Sequence, residues 1–269
     1  MLLCMASVHA QEPVAPPTGL LMVHFGTTYD DTRTKTIDAI NEKARKAFPD
    51  AKWAEAYTSR IVMTRLAKKG IKKSTPIEAL LRLHADGVRR VMVQPSYLID
   101  GIEMERLTKE IDQVRPFFDS IWVSTPLLHS VEDAERVANI LGSRHPADAN
   151  KREHVVLVGH GTESPATALY SQLDYVLHAL GYENHHVATI EGYPTLDTAI
   201  REMKQMKGRK VTLVPLLFVA GDHAKNDISV EWKQLLEEQG FTVELHIEGL
   251  GEVPEIQDLY IQKMKNGRP

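Results

Sequence analysis

Short apolar runs alternate along the chain with segments in which apolar residues recur at helical spacing. Residues 19–25 read GLLMVHF, an unbroken apolar run typical of a strand that is buried on both faces of a sheet. Residues 34–48 carry apolar side chains three or four positions apart, which predicts an amphipathic helix. Because this alternation continues to the end of the chain, it predicts an α/β protein with mostly parallel sheets flanked by helices.

The pattern predicts a similar series of elements in each half of the chain. The strands predicted in the two halves are 19–25, 52–58, 88–95 and 120–125, then 154–158, 187–190, 211–218 and 242–247. The predicted helices are 34–48, one that begins at 75, 103–114 and 131–141, then 164–180, 196–206, 228–239 and 259–264. The pair His185 and His186 falls in a polar turn, which we expect to be exposed to solvent.

The two halves also share motifs, which indicates an internal duplication. Residues 21–27 (LMVHFGT) align with 157–162 (LVGHGT) through the common Gly-Thr pair. The duplication predicts two similar lobes, an N-terminal lobe at 19–142 and a C-terminal lobe at 153–269. Ligands of open α/β sheets bind at the carboxyl ends of the strands, so we expect the site in the cleft between the lobes.

The start of the chain differs in composition from the two lobes. Residues 1–10, MLLCMASVHA, are apolar and uncharged and end in a small-x-small pattern, as at the cleavage site of a signal peptide. Residues 11–18, QEPVAPPT, then form a proline-rich leader. This start predicts export to the periplasm, and the alternative is a frayed N-terminus on a cytoplasmic protein.

Composition excludes several classes of function. The 32 basic and 36 acidic residues are too balanced for a dedicated nucleic-acid binder or a polybasic membrane surface protein. No later segment approaches the ~20 apolar residues of a membrane span. The one cysteine, Cys4, allows no disulfide framework within the chain, whereas twelve histidines keep metal or haem chemistry open.

Three polar residues follow three predicted strands of the C-terminal lobe: His160, Glu191 and His223. Because neighbouring parallel strands end at the same edge of a sheet, we expect these side chains to converge. Two imidazoles and a carboxylate suit a divalent transition metal that must exchange, and the same groups can accept protons. The corresponding positions of the N-terminal lobe hold Phe25 and Glu103, so the metal chemistry is expected in the C-terminal lobe. Each histidine taken alone is better explained as a residue that caps a loop, but three polar residues at three matching strand ends favour a metal site.

Five ordered segments carry a resemblance to a known family: HFGTT at 24–28, VGHGT at 158–162, IEGYP at 190–194, VPLL and AGDHAKND within 214–227, and GLGE at 249–252. In this order they resemble the class II tetrapyrrole chelatases, in particular the anaerobic cobalt chelatases (sirohydrochlorin cobaltochelatases). The resemblance spans about 19–264. It implies a two-lobed ferrochelatase-like fold, insertion of Co2+ into sirohydrochlorin, and a metal held in the cleft by His160, Glu191 and His223.

The tetrapyrrole that this resemblance implies adds further candidates. Phe25, Tyr97 and Tyr193 are candidates to line the macrocycle, and Thr27 is a candidate to bind its acidic periphery; ordinary packing explains each aromatic residue equally well. Relatives often have a histidine in the stretch after the third strand, at a position that aligns near Tyr97. Because this chain has a tyrosine there, no role of that histidine is carried over. The same ligand set accepts Co2+, Fe2+ or Ni2+, and haem stays open without an identified ligand.

Two other functions fit parts of the pattern. The signal-like start is also typical of an exported protein that binds or transports a metal or a haem-type tetrapyrrole and has kept the chelatase fold. A periplasmic solute-binding protein is two-lobed as well, but the metal ligands and the ordered motifs count against it. The expected partners are a sirohydrochlorin-type tetrapyrrole and a divalent metal, without nucleic acid or a membrane span; a homo-oligomer stays open.

Overall fold

Two four-stranded parallel sheets form the framework of the protein in a computed structural model, which describes residues 18–221 and 224–267 and, at 224 and 225, the backbone alone. The first sheet has the order β2-β1-β3-β4, with β1 (Thr18–His24), β2 (Lys52–Tyr57), β3 (Arg90–Pro95) and β4 (Ser120–Val123). The second has the order β6-β5-β7-β8, with β5 (Glu153–Gly161), β6 (His185–Glu191), β7 (Lys210–Leu216) and β8 (Thr242–Leu245). The equivalent orders confirm the predicted pair of similar α/β lobes.

Helices flank both sheets. After β1, α1 (Asp30–Arg33), a π-helical segment (Thr34–Asp38) and α2 (Ala39–Ala47) follow one another without a break. The remaining helices of the first half are α3 (Arg60–Lys68), α4 (Pro76–Ala85), α5 (Ile102–Val114) and α6 (Val131–Arg144). Those of the second half are α7 (Ala168–Ala179), α8 (Leu196–Gln205), α9 (Lys233–Glu238), which extends a π-helix (Ala224–Trp232), and α10 (Pro254–Asn266). No helix within the described ranges is long and apolar enough to cross a membrane.

Capping side chains fix where two of these helices begin. The Thr75 hydroxyl accepts a hydrogen bond from the backbone N–H of Glu78, and the Glu78 carboxylate accepts one from the N–H of Thr75. Ser130 and Asp133 form the same reciprocal pair at the start of α6. Since these bonds satisfy N–H groups that have no partner inside the helix, the sequence sets both starts locally.

One hydrophobic core runs through both lobes. It includes Leu20 and Met22 of β1, Val155 and Leu157 of β5, and Tyr260 of α10, all of them almost inaccessible to solvent. The C-terminal helix α10 crosses back to pack against α2, α6 and β3 of the first lobe. The sheets are therefore fixed relative to each other by shared apolar packing.

The expectation that His185 and His186 are exposed in a turn was wrong. Both lie in β6 and are only 3% and 1% exposed. Nε2 of His186 lies 3.0 Å from Nδ1 of His154, and its Nδ1 lies 3.2 Å from the Glu202 carboxylate. Burial, followed by the nearby charges of His154, His178 and His185, lowers the pKa of His186 to about 3. A polar pair can occupy a buried strand here because three of its four ring nitrogens find partners inside the protein: both of His186, and Nε2 of His185, which donates to the carbonyl oxygen of His145.

Candidate active site

The ends of β5 and β6 place two of the predicted ligands at the same edge of the second sheet. Gly161, which follows His160, is paired with Glu191 in the parallel register. His160 is partly buried and Glu191 is exposed. Nδ1 of His160 lies 3.3 Å from the carbonyl oxygen of Gly161. When Nδ1 donates its proton to that oxygen, Nε2 carries the lone pair that a metal requires.

A glycine is required at the point where the two strand ends meet. Gly161 has φ of +84°, and a β-carbon built on it would lie 1.5 Å from the carbonyl oxygen of Glu191. Only a residue without a side chain lets the backbone of β6 approach β5 this closely. The HGT and EG motifs therefore act together: their glycines let the neighbouring imidazole and carboxylate share one edge of the sheet.

The third predicted ligand, His223, lies outside the described residues, and its contribution stays a prediction. The described part of the loop after β7 ends at Gly221. A β-carbon built on Gly221 would lie 3.8 Å from Oγ1 of Thr27, in the loop after β1. The loop that leads to His223 thus reaches across to the first lobe, on the side where the strands of both sheets end.

Two of the predicted aromatic residues are half exposed, one from each lobe. Phe25 follows β1 and is 50% exposed, and Tyr193 follows β6 and is 52% exposed. Oγ1 of Thr167 fixes the backbone of Tyr193 through two hydrogen bonds: it donates to the Tyr193 carbonyl oxygen and accepts from the Tyr193 N–H. Fixed backbones and exposed rings suit these residues to contact a large planar ligand.

Thr27 and Tyr97 lie deeper in the protein. The hydroxyl of Thr27, which is 4% exposed, accepts a hydrogen bond from the N–H of Tyr29 and so shapes the loop after β1. Tyr97 is 8% exposed and belongs to the core of the first lobe. Its hydroxyl donates to Oγ1 of Thr58, and burial raises its pKa. Both side chains are therefore packed inside the protein rather than at an open surface.

A buried polar network under the first-lobe loop was missed by the sequence reasoning. The ring of His24 is inaccessible to solvent and lies 2.9 Å from both Oγ of Ser96 and Oδ1 of Asn41. Asn41 donates its amide hydrogen to Glu55, whose other oxygen accepts a bond from Lys73 at 2.5 Å. Because the Asn41 amide group is used in this way, its Oδ1 accepts from Nε2 of His24, and Nδ1 accepts from Ser96.

This network fixes the end of β1, directly before Phe25. Burial is the main cause that lowers the pKa of His24, so the ring is neutral at neutral pH. The ring also stacks on Phe218, in the loop after β7, at 6.1 Å between centroids. His24 therefore connects the strand end before Phe25 to the opposite lobe. The only available signal in the sequence was a histidine inside an apolar strand, next to a Gly-Thr pair.

A family model and two named relatives indicate the same family, and a solved structure has the same fold. A family model described as cobalt chelatase (CbiK) matches residues 18–268. The chain is 34% identical over 247 residues to the sirohydrochlorin cobaltochelatase of Salmonella typhimurium, covering 90% of this chain and 93% of that protein. It is 30% identical over 252 residues to sirohydrochlorin cobaltochelatase CbiKC of Nitratidesulfovibrio vulgaris, covering 91% and 89%. Among solved structures, SirB from Bacillus subtilis with Fe3+ has the same fold, with a TM-score of 0.70, 16% identity and coverage of 93% and 95%.

Proposed function

The chain belongs to the cobalt chelatase (CbiK) family, and from this premise we propose that it inserts Co2+ into sirohydrochlorin in the cleft between its lobes. The observation that supports this most directly is the pairing of Gly161 with Glu191, which brings the His160 imidazole and a carboxylate to one strand edge. Relatives at 30% and 34% identity over about nine-tenths of the chain are named for this reaction.

Insertion replaces two pyrrole N–H protons of the macrocycle by one metal ion. Two N–H bonds break, the ring nitrogens bind Co2+, and two protons leave. In this proposal His160, Glu191 and His223 present the metal to one face of the ring and release it as the ring nitrogens take over. Glu191 is the exposed member of the pair on β5 and β6, so it can pass an accepted proton directly to water.

The macrocycle is large and mostly planar, which gives the half-exposed rings of Phe25 and Tyr193 a role. One ring from each lobe can contact the macrocycle by stacking while the metal approaches from the strand ends. The buried His24 holds the backbone before Phe25, and the loop that contains Thr27 lies against Gly221. The first lobe thus contributes binding and orientation, and the second contributes the metal chemistry.

Two finer points belong to the same proposal. We propose Co2+ as the metal because the relatives are named cobaltochelatases; the donor set itself also accepts Fe2+ and Ni2+. We also propose export, on the signal-like residues 1–10 alone. Mass spectrometry of protein from its native host should find Gln11 as the first residue, and an intact Met1 in the cytosolic fraction would contradict export.

The test is metal insertion followed by the absorption spectrum of the macrocycle, with Co2+, Fe2+ and Ni2+ in parallel. His160→Ala should lower turnover at least 100-fold, because supporting residues of metal ligands already cost about 10- to 100-fold when they are lost. His129→Ala is the matched control, since His129 is an exposed histidine that is not among the predicted ligands.

Circular dichroism shows whether each variant is folded. Wild-type turnover in folded His160→Ala would overturn the assigned site. Stoichiometric binding of the macrocycle without turnover in the wild type would overturn the enzyme and favour a carrier.

A further inference from the structure

A second group of metal-ligating side chains, which shares no residue with the candidate ligands of the cleft, lies where α6 ends and the chain leaves β8. It consists of His145, directly after α6, and of His246 and Glu248, directly after β8. One ligand atom from each of these side chains lies within 4.8 Å of the other two. The two imidazole rings stand edge to face, with centroids 4.7 Å apart.

The imidazole of His145 has unused hydrogen-bonding capacity. The residue is only 7% exposed, yet neither ring nitrogen has a hydrogen-bond partner among the residues that the structure describes. Neither nitrogen is among the fully enclosed atoms that lack a partner, so both reach solvent and are available as ligand atoms. The ring lies next to the two other potential ligands, so a cation bound by them is within reach of one of its nitrogens.

The surrounding contacts hold two of the three ligands in place. His185 donates from Nε2 to the backbone carbonyl oxygen of His145 at 2.7 Å. Arg144 binds both carboxylate oxygens of Glu248, at 2.8 and 2.6 Å. A carboxylate has about four lone-pair sites, so two remain for a metal or for His246, whose Nε2 lies 3.4 Å away.

The third ligand can move to complete the site. The side chain of His246 is 48% exposed, whereas its backbone N–H is fixed by a bond to the carbonyl oxygen of Leu213 in β7. A metal–imidazole bond is about 2.0–2.1 Å long, so the three ligand atoms must draw closer together than they are now. An exposed ring on a fixed backbone can do so by rotating its side chain alone.

We propose that His145, His246 and Glu248 form a second metal site, for a divalent transition ion of the Zn2+ or Co2+ type. Two imidazole nitrogens and one carboxylate oxygen are a ligand set that this class of ion accepts, with a fourth position left for water. The adjacent Arg144 guanidinium repels a cation, which should make this binding weaker than that of a site without such a neighbour.

Binding at this site would also stabilise the loop that leads to the cleft. Gly249 directly follows Glu248, and a β-carbon built on it would lie 2.8 Å from the carbonyl oxygen of Phe218 and 2.9 Å from the nitrogen of Ala220. A metal that ties the end of α6 to this turn therefore braces the loop after β7. Because the ion binds only the folded chain, it should raise the midpoint of thermal unfolding.

The experiment separates this site from the cleft by working with and without His160. Equilibrium dialysis against Zn2+ and Co2+ gives the number of ions bound, and thermal unfolding with and without Zn2+ gives the stabilisation. Four proteins are compared: wild type, H160A, H246N and the double variant. H246N is chosen because an exposed side chain can be replaced without opening the core, and H129N serves as the control for loss of an exposed histidine.

We expect one fewer ion in H246N than in wild type, and in H160A a Zn2+-dependent rise in the unfolding midpoint that disappears in the double variant. E248Q, which keeps the size of the side chain, should weaken Zn2+ binding in the H160A background at least tenfold. Unchanged ion binding in H246N, or the same Zn2+-dependent rise in H160A and the double variant, would overturn the second site. Neither result depends on turnover, so failure of this proposal leaves the proposed chelatase activity untouched.

Discussion

Substituting Gly161 by alanine tests the contact on which the candidate metal site depends. The added β-carbon would lie 1.5 Å from the carbonyl oxygen of Glu191, whereas real β-carbons essentially never approach within 3.0 Å of another heavy atom. The ends of β5 and β6 must therefore separate by about 1.5 Å, or the chain around Gly161 must leave its φ of +84°. Either movement changes the position of Glu191 relative to His160.

The expected effect has two contributions that a second variant separates. Alanine in the left-handed region costs about 1–2 kcal/mol at any position. Gly240 has φ of +89° with nothing within 4 Å of a built β-carbon, so Gly240→Ala has this cost alone. In Gly161→Ala the displacement of the strand ends is added, and misplacing reacting groups by about 1 Å can cost about 100-fold in rate.

Urea unfolding and cobalt insertion measure the two contributions. Gly240→Ala should lose about 1–2 kcal/mol of stability and keep wild-type turnover. Gly161→Ala should lose more stability and at least about 100-fold in kcat/KM. If folded Gly161→Ala inserts cobalt as fast as Gly240→Ala, then the close contact of β5 and β6 is not needed for the reaction, and the site must lie elsewhere.

Two further predictions concern buried polar groups. The free energy of unfolding should fall as pH decreases from about 6.5 towards 4, by about 1.4 kcal/mol per pH unit for each histidine that protonates only when unfolded. Burial lowers the pKa of His154, and that of His186 to about 3, so the unfolded chain binds more protons in this range; urea titrations that give a flat profile would contradict this. Lys73→Met should cost about 3 kcal/mol, because it leaves the Glu55 carboxylate in the interior without its ammonium partner. A loss below about 1 kcal/mol in urea unfolding would show that water already solvates this carboxylate.

The fold was predictable because strands buried on both faces are continuous apolar runs. The runs at 19–25 and 211–218 became β1 and β7 with small changes at their ends. One change matters for function, since β5 continues to Gly161 rather than stopping near residue 158. Pairing with β6 extends the strand past its apolar run, so His160 belongs to a strand end and not to a free loop.

Features that depend on distant partners could not be predicted. Helix α3 (Arg60–Lys68) was not predicted because its apolar face, Val62, Met63 and Leu66, spans little more than one turn and only Leu66 is fully buried. The pair at 185–186 is polar in sequence, and its burial follows only from its partners on neighbouring elements. The same holds for His24, because Asn41 and Ser96 are 17 and 72 residues away along the chain.

The duplicated Gly-Thr motif shows how one scaffold supports two different tasks. When Gly26 is aligned with Gly161, His24 corresponds to Gly159. The space that a side chain at Gly159 would occupy is filled by the ring of Tyr170, which would lie 2.3 Å from a β-carbon built there.

In both lobes a buried ring therefore occupies the side-chain space two residues before the Gly-Thr pair, and in each lobe this ring is hydrogen-bonded to a neighbouring element. The ring of His24 comes from the strand itself and is tied to α2 through Asn41; the ring of Tyr170 comes from α7, and its hydroxyl accepts a hydrogen bond from the N–H of Gly161 at 3.4 Å. The residue before the glycine, Phe25 in the first lobe and His160 in the second, is thereby held in place in both lobes. This residue is an exposed apolar ring in the first lobe and a potential metal ligand in the second. In the proposed reaction the first would contact the macrocycle and the second would bind the metal.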